Sequence, residues 1–322
     1  MKLFTLEATR ALAERVGEKA GVAVCAHEER EFEDGEFKVR ALESVSGEAV
    51  FVCQSLFSDA LYSVTDKLCR LLFFVGSLKD AGASEVIALV PYLGFARKDR
   101  RTKSRDPVTT RYVASMFEAV GLDEIVTADV HNLAAYENAF RCRKRNLEAA
   151  PLFAEHFSDA IGEDARIVVL SPDAGGVKRA KAFAAELSRS RSQDVELAFM
   201  EKHRSEGRVS GELFAGEVEG AVVIVIDDLI SGGTTMVRAA RVSMERGARA
   251  VHGAATHGVF GEGTAVALGA PDLTSVVVTD TVGAVRERGA GLASKLVVLD
   301  SAALFADRVR RAMSPSGIGE LS

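Results

Sequence analysis

Tryptophan is absent from this chain, and aromatic residues make up only 7% of its 322 positions. Cysteine is equally scarce. Cys25, Cys53, Cys69 and Cys142 lie far apart in no metal-binding or redox spacing, which excludes a thiolate metal cage and a disulfide framework and leaves reduced, mostly buried thiols of a cytosolic protein. No run approaches the roughly 18 apolar residues of a membrane span. The N-terminal stretch carries scattered acids and no apolar core of signal-peptide length, so a cytoplasmic location is expected. Basic charge is not in surplus either. With 40 Lys and Arg against 46 Asp and Glu, the net charge is −6, which argues against duplex nucleic acid as a partner. An anionic substrate would need local basic loops and metal ions. What is present is an ordinary globular share of hydrophobic residues, 48%, in a chain long enough for two domains with separate cores.

Short apolar runs alternate with helical stretches along nearly the whole length. Strands are predicted at 21–25, 49–54, 85–90, 124–129, 167–170, 195–200, 221–226, 249–256 and 275–279, and helices between them, for example at 63–81, 109–120, 175–187 and 235–246. Gly82, Gly121 and Gly247 stand where helix C-caps are wanted. This alternation predicts an α/β protein with mainly parallel sheets flanked by helices. The basic, polar stretch Arg141–Asn146 is the best boundary, giving domains 1–146 and 147–301. A last helix at about 302–313 could fold back on either half, the first included. Each half carries an apolar strand ending in an acid and then a polar loop, which suggests a duplicated architecture.

The sharpest local signal is a buried strand, Val222–Ile226, running into Asp227 and Asp228, then Leu229, Ile230, Ser231, Gly232, Gly233, Thr234 and Thr235. Glycines let backbone N–H groups approach a phosphate, and a following helix N-terminus adds fixed positive potential. The hydroxyls add donors. Two carboxylates at a strand's carboxyl end suit the vicinal hydroxyls of a sugar, directly or through a metal. The plain alternative is a strand–turn–helix with a threonine cap, and paired acids with paired glycines make it the weaker reading. No Gly-Lys-Ser/Thr follows, so this is not a Walker A loop. It resembles the phosphoribosyl pyrophosphate motif of phosphoribosyltransferases and phosphoribosyl pyrophosphate synthetases.

Further motifs separate maker from user. Phe32, Asp34, Gly35 and Glu36 match an F-x-D-G-E pattern; Ala96, Arg97, Lys98, Asp99, Arg100 and Arg101 are similar to A-R-Q-D-R-K; Asp129, Val130 and His131 stand for D-L-H; Ser171 to Ala180 reads S-P-D-x-G-G-V-x-R-A; and Ala255 to Val259 reads A-T-H-G-V. In this order they resemble ribose-phosphate pyrophosphokinase over nearly the whole chain. The resemblance implies two phosphoribosyltransferase-like α/β domains and an adenine pocket at Phe32, Asp34 and Glu36. It also implies an ATP loop at Arg97, Lys98, Asp99 and Arg100, and a site for ribose 5-phosphate at Asp227, Asp228 and Ser231 to Thr235. Mg²⁺ would be held at His131 and at Asp173, and Lys202 and Arg204 would stabilise charge on the transferred diphosphate. A partner's Phe32–Glu36 segment would complete the adenine pocket, so a homo-oligomer is expected.

Residue chemistry supports several of these assignments. From Arg97 to Arg105 six of nine residues are Lys or Arg, a cluster able to pair with a triphosphate; alone, it would read as a solvated loop. His131 lies two residues after Asp129, so extended backbone would put both on one face. Alone, it would read as a hydrogen-bonded histidine at a strand end. Asp173 is a helix N-cap by position, compatible with facing a metal. Ser205–Gly211 has two glycines and no apolar face, and reads as a lid or, nearly as well, as a surface loop. The departures are local: Lys98 replaces glutamine, His203 an arginine, and Asn132 begins a stretch where the family has A-x-Q-I-Q-G-F-F. Two other functions compete. A phosphoribosyltransferase would lack the adenine, ATP-loop and histidine motifs, and an inactive regulatory homologue need not keep His131, Asp173, Lys202 and Arg204.

Overall fold

A computed structural model describes residues 1–205 and 208–313, with backbone alone over 202–212. The chain divides into two compact units: Met1–Glu148 with Thr281–Gly283 and the segment from Asp300 on, and Ala149–Asp280 with Ala284–Leu299.

The first unit contains β1 (Lys2–Thr5), α1 (Arg10–Ala20), β2 (His27–Glu31), β3 (Phe37–Ala41), β4 (Ala49–Cys53), α2 (Val64–Asp80), β5 (Glu85–Val90), α3 (Thr109–Ala119), β6 (Glu124–Ala128), α4 (Leu133–Ala139) and β7 (Arg143–Leu147). Strands β1-β4-β5-β6-β7 form a five-stranded sheet, parallel throughout. Its centre is buried on both faces, which is why these strands read as unbroken aliphatic runs. Phe4, Val50, Val52, Val86 and Ala88 pack with Leu71, Phe74 and Phe117 on one face. Leu3, Phe51, Ile87, Leu89 and Val126 pack with Leu12 and Val16 on the other. Ser63 and Asp66 form a capping box that starts α2, and Gly82 just beyond its end has φ +85°.

The second unit contains α5 (Ala150–Ala160), β8 (Ile167–Ser171), α6 (Val177–Arg191), β9 (Glu196–Ser205), β10 (Arg208–Ala215), β11 (Val222–Ile230), α7 (Thr234–Glu245), β12 (Ala250–Gly258), α8 (Thr264–Leu268), β13 (Ser275–Thr279), α9 (Val285–Arg288) and β14 (Leu296–Leu299). Its seven strands run β10-β9-β8-β11-β12-β13-β14, and only the β9–β10 pair is antiparallel. The last helix, α10 (Ala302–Met313), returns to the first unit, where Ala302, Phe305, Ala306 and Val309 join the core with Leu3 and Phe51.

Three local expectations are adjusted, and one hairpin is not anticipated. The stretch 21–25 is no strand: Gly21 ends α1 at φ +75°, and only Val24 bridges to Leu3. The sheet strand is Lys2–Thr5 instead. The first unit runs on to Glu148, and the basic run read as the boundary is mostly strand, Arg143–Leu147 pairing with β6 as an edge strand. Its cations tolerate that place because an edge keeps one side in water. The acids Asp227 and Asp228 lie inside β11, which continues to Ile230 through pairing with β12. Finally, the charged β2–β3 hairpin has no apolar run to announce it.

Candidate active site

In the first unit the ATP loop leaves the sheet at β5. The Ala128 N–H donates to the Pro91 carbonyl at 3.3 Å, and the Leu56 N–H to the Tyr92 carbonyl at 2.9 Å. Gly94 is required here, since a Cβ would lie 2.8 Å from the Leu56 carbonyl oxygen and 2.6 Å from Val64 Cγ1. Thr109 and Thr110 hydroxyls donate to the Phe95 carbonyl at 3.2 and 3.3 Å, closing the base of the loop on α3. Arg97, Arg100 and Arg101 are exposed. Lys98 is engaged within the loop: its Nζ donates to Asp106 at 2.6 Å and to Thr102 Oγ1 at 3.1 Å. Asp106 also accepts from the Thr102 and Lys103 N–H groups. The Lys98 hydrogen bond, with these others, holds the Asp106 carboxyl well below the usual range.

Asp99 meets the next loop directly. Asn132 Nδ2 donates to Asp99 Oδ2 at 2.6 Å. His131 beside it is exposed, on a turn pinned by the Val130 N–H to Asn146 Oδ1 at 2.8 Å. Asp129 has φ +34°, a left-handed conformation, so the alternation that would align Asp129 and His131 on an extended strand does not apply. At the tip of the β2–β3 hairpin, Phe32 is 41% exposed, with Arg30 over its ring at 5.1 Å. Asp34 Oδ1 accepts the Glu36 N–H at 3.1 Å, shaping the turn.

In the second unit two strand–helix junctions carry the motifs. At the end of β8, Asp173 Oδ1 accepts the Gly176 N–H at 2.9 Å, capping the turn before α6. Two residues before β11 ends, Asp228 is buried at 4% exposure and its N–H donates to Asp227 Oδ1 at 2.9 Å. Burial first, then a side-chain hydrogen bond with Asp228 and that neighbour's charge, push the Asp227 carboxyl up, opposed by Arg179. The Arg179 Nη1 atom lies 3.6 Å from Asp227 and 3.7 Å from Asp228. Gly233 has φ +76° and precedes α7, whose N-terminus has no side-chain cap, so first-turn amides can serve an anion. Ser231 anchors the turn from its carbonyl, which accepts the Gly261 N–H at 2.8 Å. Gly232 completes the turn and Thr234 and Thr235 open α7, with Gly232 and Thr234 exposed.

The structure thus brings Asp99 to the His131 loop, and Asp227, Asp228 and Arg179 together. Lys202 and Arg204 lie on β9, opposite Glu212 and Val209, but their side chains fall outside the described residues. Of the stretch read as a lid, 205 and 208–211 have strand backbone and 206–207 lie outside the described residues. Two residues escaped sequence reasoning. Arg179 sits in a quoted motif, six residues after Asp173, and that spacing could have flagged it. Asn132 carried no signal beyond its departure from the family pattern.

Residues 1–121 match the N-terminal domain of ribose phosphate pyrophosphokinase, and 207–321 the phosphoribosyl synthetase-associated domain. The chain is 34% identical over 322 residues to a ribose-phosphate pyrophosphokinase of Fusobacterium nucleatum, covering 100% of this chain and 98% of that protein. The chain belongs to the ribose-phosphate pyrophosphokinase family. A second family member, from Caldanaerobacter subterraneus, is 34% identical over 323 residues, covering 100% and 97%. The crystal structure of phosphoribosylpyrophosphate synthetase from Mycobacterium smegmatis superposes with a TM-score of 0.87 at 32% identity, covering 97% of this chain and 98% of that one. For a ribose-phosphate pyrophosphokinase, an acid pair ahead of a glycine turn and a cationic loop ahead of a histidine turn are chemically apt features.

Among the described residues no three His, Cys, Asp or Glu side chains group as a metal cage. The donors present still fit Mg²⁺, which takes one or two protein ligands and keeps waters and phosphate oxygens. No helix among the described residues is long and apolar enough to cross a membrane.

Proposed function

We propose that this chain transfers the diphosphoryl group of ATP to the 1-hydroxyl of ribose 5-phosphate, giving phosphoribosyl pyrophosphate and AMP. Full-length identity to ribose-phosphate pyrophosphokinases carries this reading, and the acid pair ahead of an uncapped helix N-terminus supports it. Asp227 and Asp228 accept hydrogen bonds from the ribose hydroxyls. Ser231, Gly232, Gly233, Thr234 and Thr235 donate to the 5-phosphate. Arg97, Asp99 and Arg100 bind ATP, with Lys98 shaping their loop through Asp106, and Phe32, Asp34 and Glu36 face the adenine.

In the reaction the 1-hydroxyl oxygen attacks the β-phosphorus, and the bond from that phosphorus to the oxygen bridging it to the α-phosphorus breaks. AMP leaves with the bridging oxygen, and the hydroxyl proton passes to solvent without a dedicated base. Such chemistry depends on alignment and on stabilising charge that spreads in the transition state, the part given to Lys202 and Arg204. His131 and Asp173 would hold Mg²⁺, which when bound supplies neutralising charge to the polyphosphate. The protein works in the cytoplasm as a homo-oligomer, with neither membrane nor nucleic acid as partner.

The test is direct. Purified protein given MgATP and ribose 5-phosphate should form AMP and phosphoribosyl pyrophosphate in equal amounts. Formation of neither would refute the proposal.

A further inference from the structure

We infer that Asn132 is a positioning residue for ATP, tethering the cationic ATP loop to the histidine turn; in its ATP role this rests on the function proposed above. The two halves of its amide do different work. Oδ1 accepts the Ala135 N–H at 3.2 Å and caps α4. Nδ2 donates to Asp99 Oδ2 at 2.6 Å. Only this orientation satisfies both partners, because the reverse would turn an amide oxygen toward a carboxylate and an NH₂ toward an N–H.

The position of the tether gives it consequence. Asp99 lies between Arg97 and Arg100, both exposed, in a loop that departs from β5 and closes on α3. Lys98 is held by Asp106 inside the loop, a contact that shapes the loop but does not aim it. Asn132 follows His131 immediately and sits on a helix cap, so its side chain is fixed by secondary structure. A hydrogen bond to an ionised acceptor from a fixed donor is short and directional. It therefore sets where the neighbouring arginines stand relative to His131, and catalysis that depends on alignment is sensitive to such placement.

Three variants separate tether from cap. Asn132→Asp keeps an acceptor for the cap but faces Asp99 with a second carboxylate. Asn132→Ser keeps a capping hydroxyl and loses the reach. Asn132→Asp combined with Asp99→Asn exchanges donor and acceptor. The expected result is that Asn132→Asp raises KM for ATP tenfold or more and Asn132→Ser severalfold. KM for ribose 5-phosphate should stay within twofold and unfolding midpoints near wild type. In the double variant, whose Asp99→Asn change also alters an ATP-binding residue, the recovery is read in hydrogen exchange of amides 97–105, which should return toward wild type. Hydrogen exchange of amides 97–105 in the protein without substrates should quicken in both single variants, a readout independent of activity. Unchanged KM for ATP in both single variants, equal rises in both KM values, or no return of the double variant's hydrogen exchange toward wild type would overturn the inference. Wild-type protein without any turnover would instead defeat the functional reading, and the exchange measurement would still report on the tether.

Discussion

Arg308 of α10 holds Glu124 at the start of β6, 184 residues earlier in the chain: Nε donates at 2.9 Å and Nη2 at 2.5 Å. The Glu124 side chain is 2% exposed and that of Arg308 10%, and Arg145 also reaches the carboxylate, at 2.9 Å. The forked contact orients α10 along the sheet, while Phe305 and Val309 supply the buried area.

Arg308→Ala is therefore expected to destabilise the protein. Removing one partner of a buried ion pair costs about 3–5 kcal/mol, and because Arg145 still partners Glu124 the low end applies. Urea unfolding of wild type and variant measures the loss. A change below about 1 kcal/mol would show that the apolar face of α10 suffices.

Asp228→Ala should damage use of ribose 5-phosphate more than of ATP. A hydrogen bond to a charged group is worth about 1.5–3 kcal/mol, which corresponds to KM for ribose 5-phosphate rising roughly tenfold to a hundredfold at 1.4 kcal/mol per decade. Equal rises for both substrates in a folded variant would count against sugar binding by Asp228.

Lys202→Ala should lower kcat much more than it raises either KM. Loss of one preorganised electrostatic group costs ~10²–10³ in kcat, whereas loss of uniform binding appears in KM. Steady-state kinetics, with unfolding curves to exclude a folding defect, decide the matter. A kcat near wild type would remove Lys202 from the mechanism.

Acid should weaken the second unit through two histidines. Burial, and then the charge of His156, lowers the pKa of His252, whose Nδ1 lies 2.8 Å from Ser275 Oγ. Burial also lowers that of His156, with Asp159 opposing. Folded values below the ordinary 6.5 mean that the unfolded chain takes up protons first. Their contribution is then whole above pH 6.5 and is lost as pH falls below it, through the depressed folded values. Urea midpoints between pH 7.5 and pH 5.5 should fall less steeply in His252→Asn than in wild type. Parallel curves would rule this contribution out.

The strand–helix rhythm, the glycine caps and the acid–glycine turn of β11 were legible in the linear sequence because each depends on neighbours within a few residues. Val86 to Val90 is apolar because a central parallel strand is buried on both faces, and Gly233 follows from a backbone angle that other residues resist. Family motifs carried the candidate site further than periodicity could. Only tertiary structure decided that Lys2–Thr5 rather than 21–25 enters the sheet, that Arg143–Leu147 forms its edge, and that α10 lies on the first unit. Strand pairing and helix docking pair residues distant in sequence, which local pattern does not record. The contacts of Asn132 with Asp99 and of Arg179 with the acid pair belong to the same class. They exist because loops and helix N-termini converge at the carboxyl ends of parallel strands, where folding, and not sequence spacing, brings side chains together.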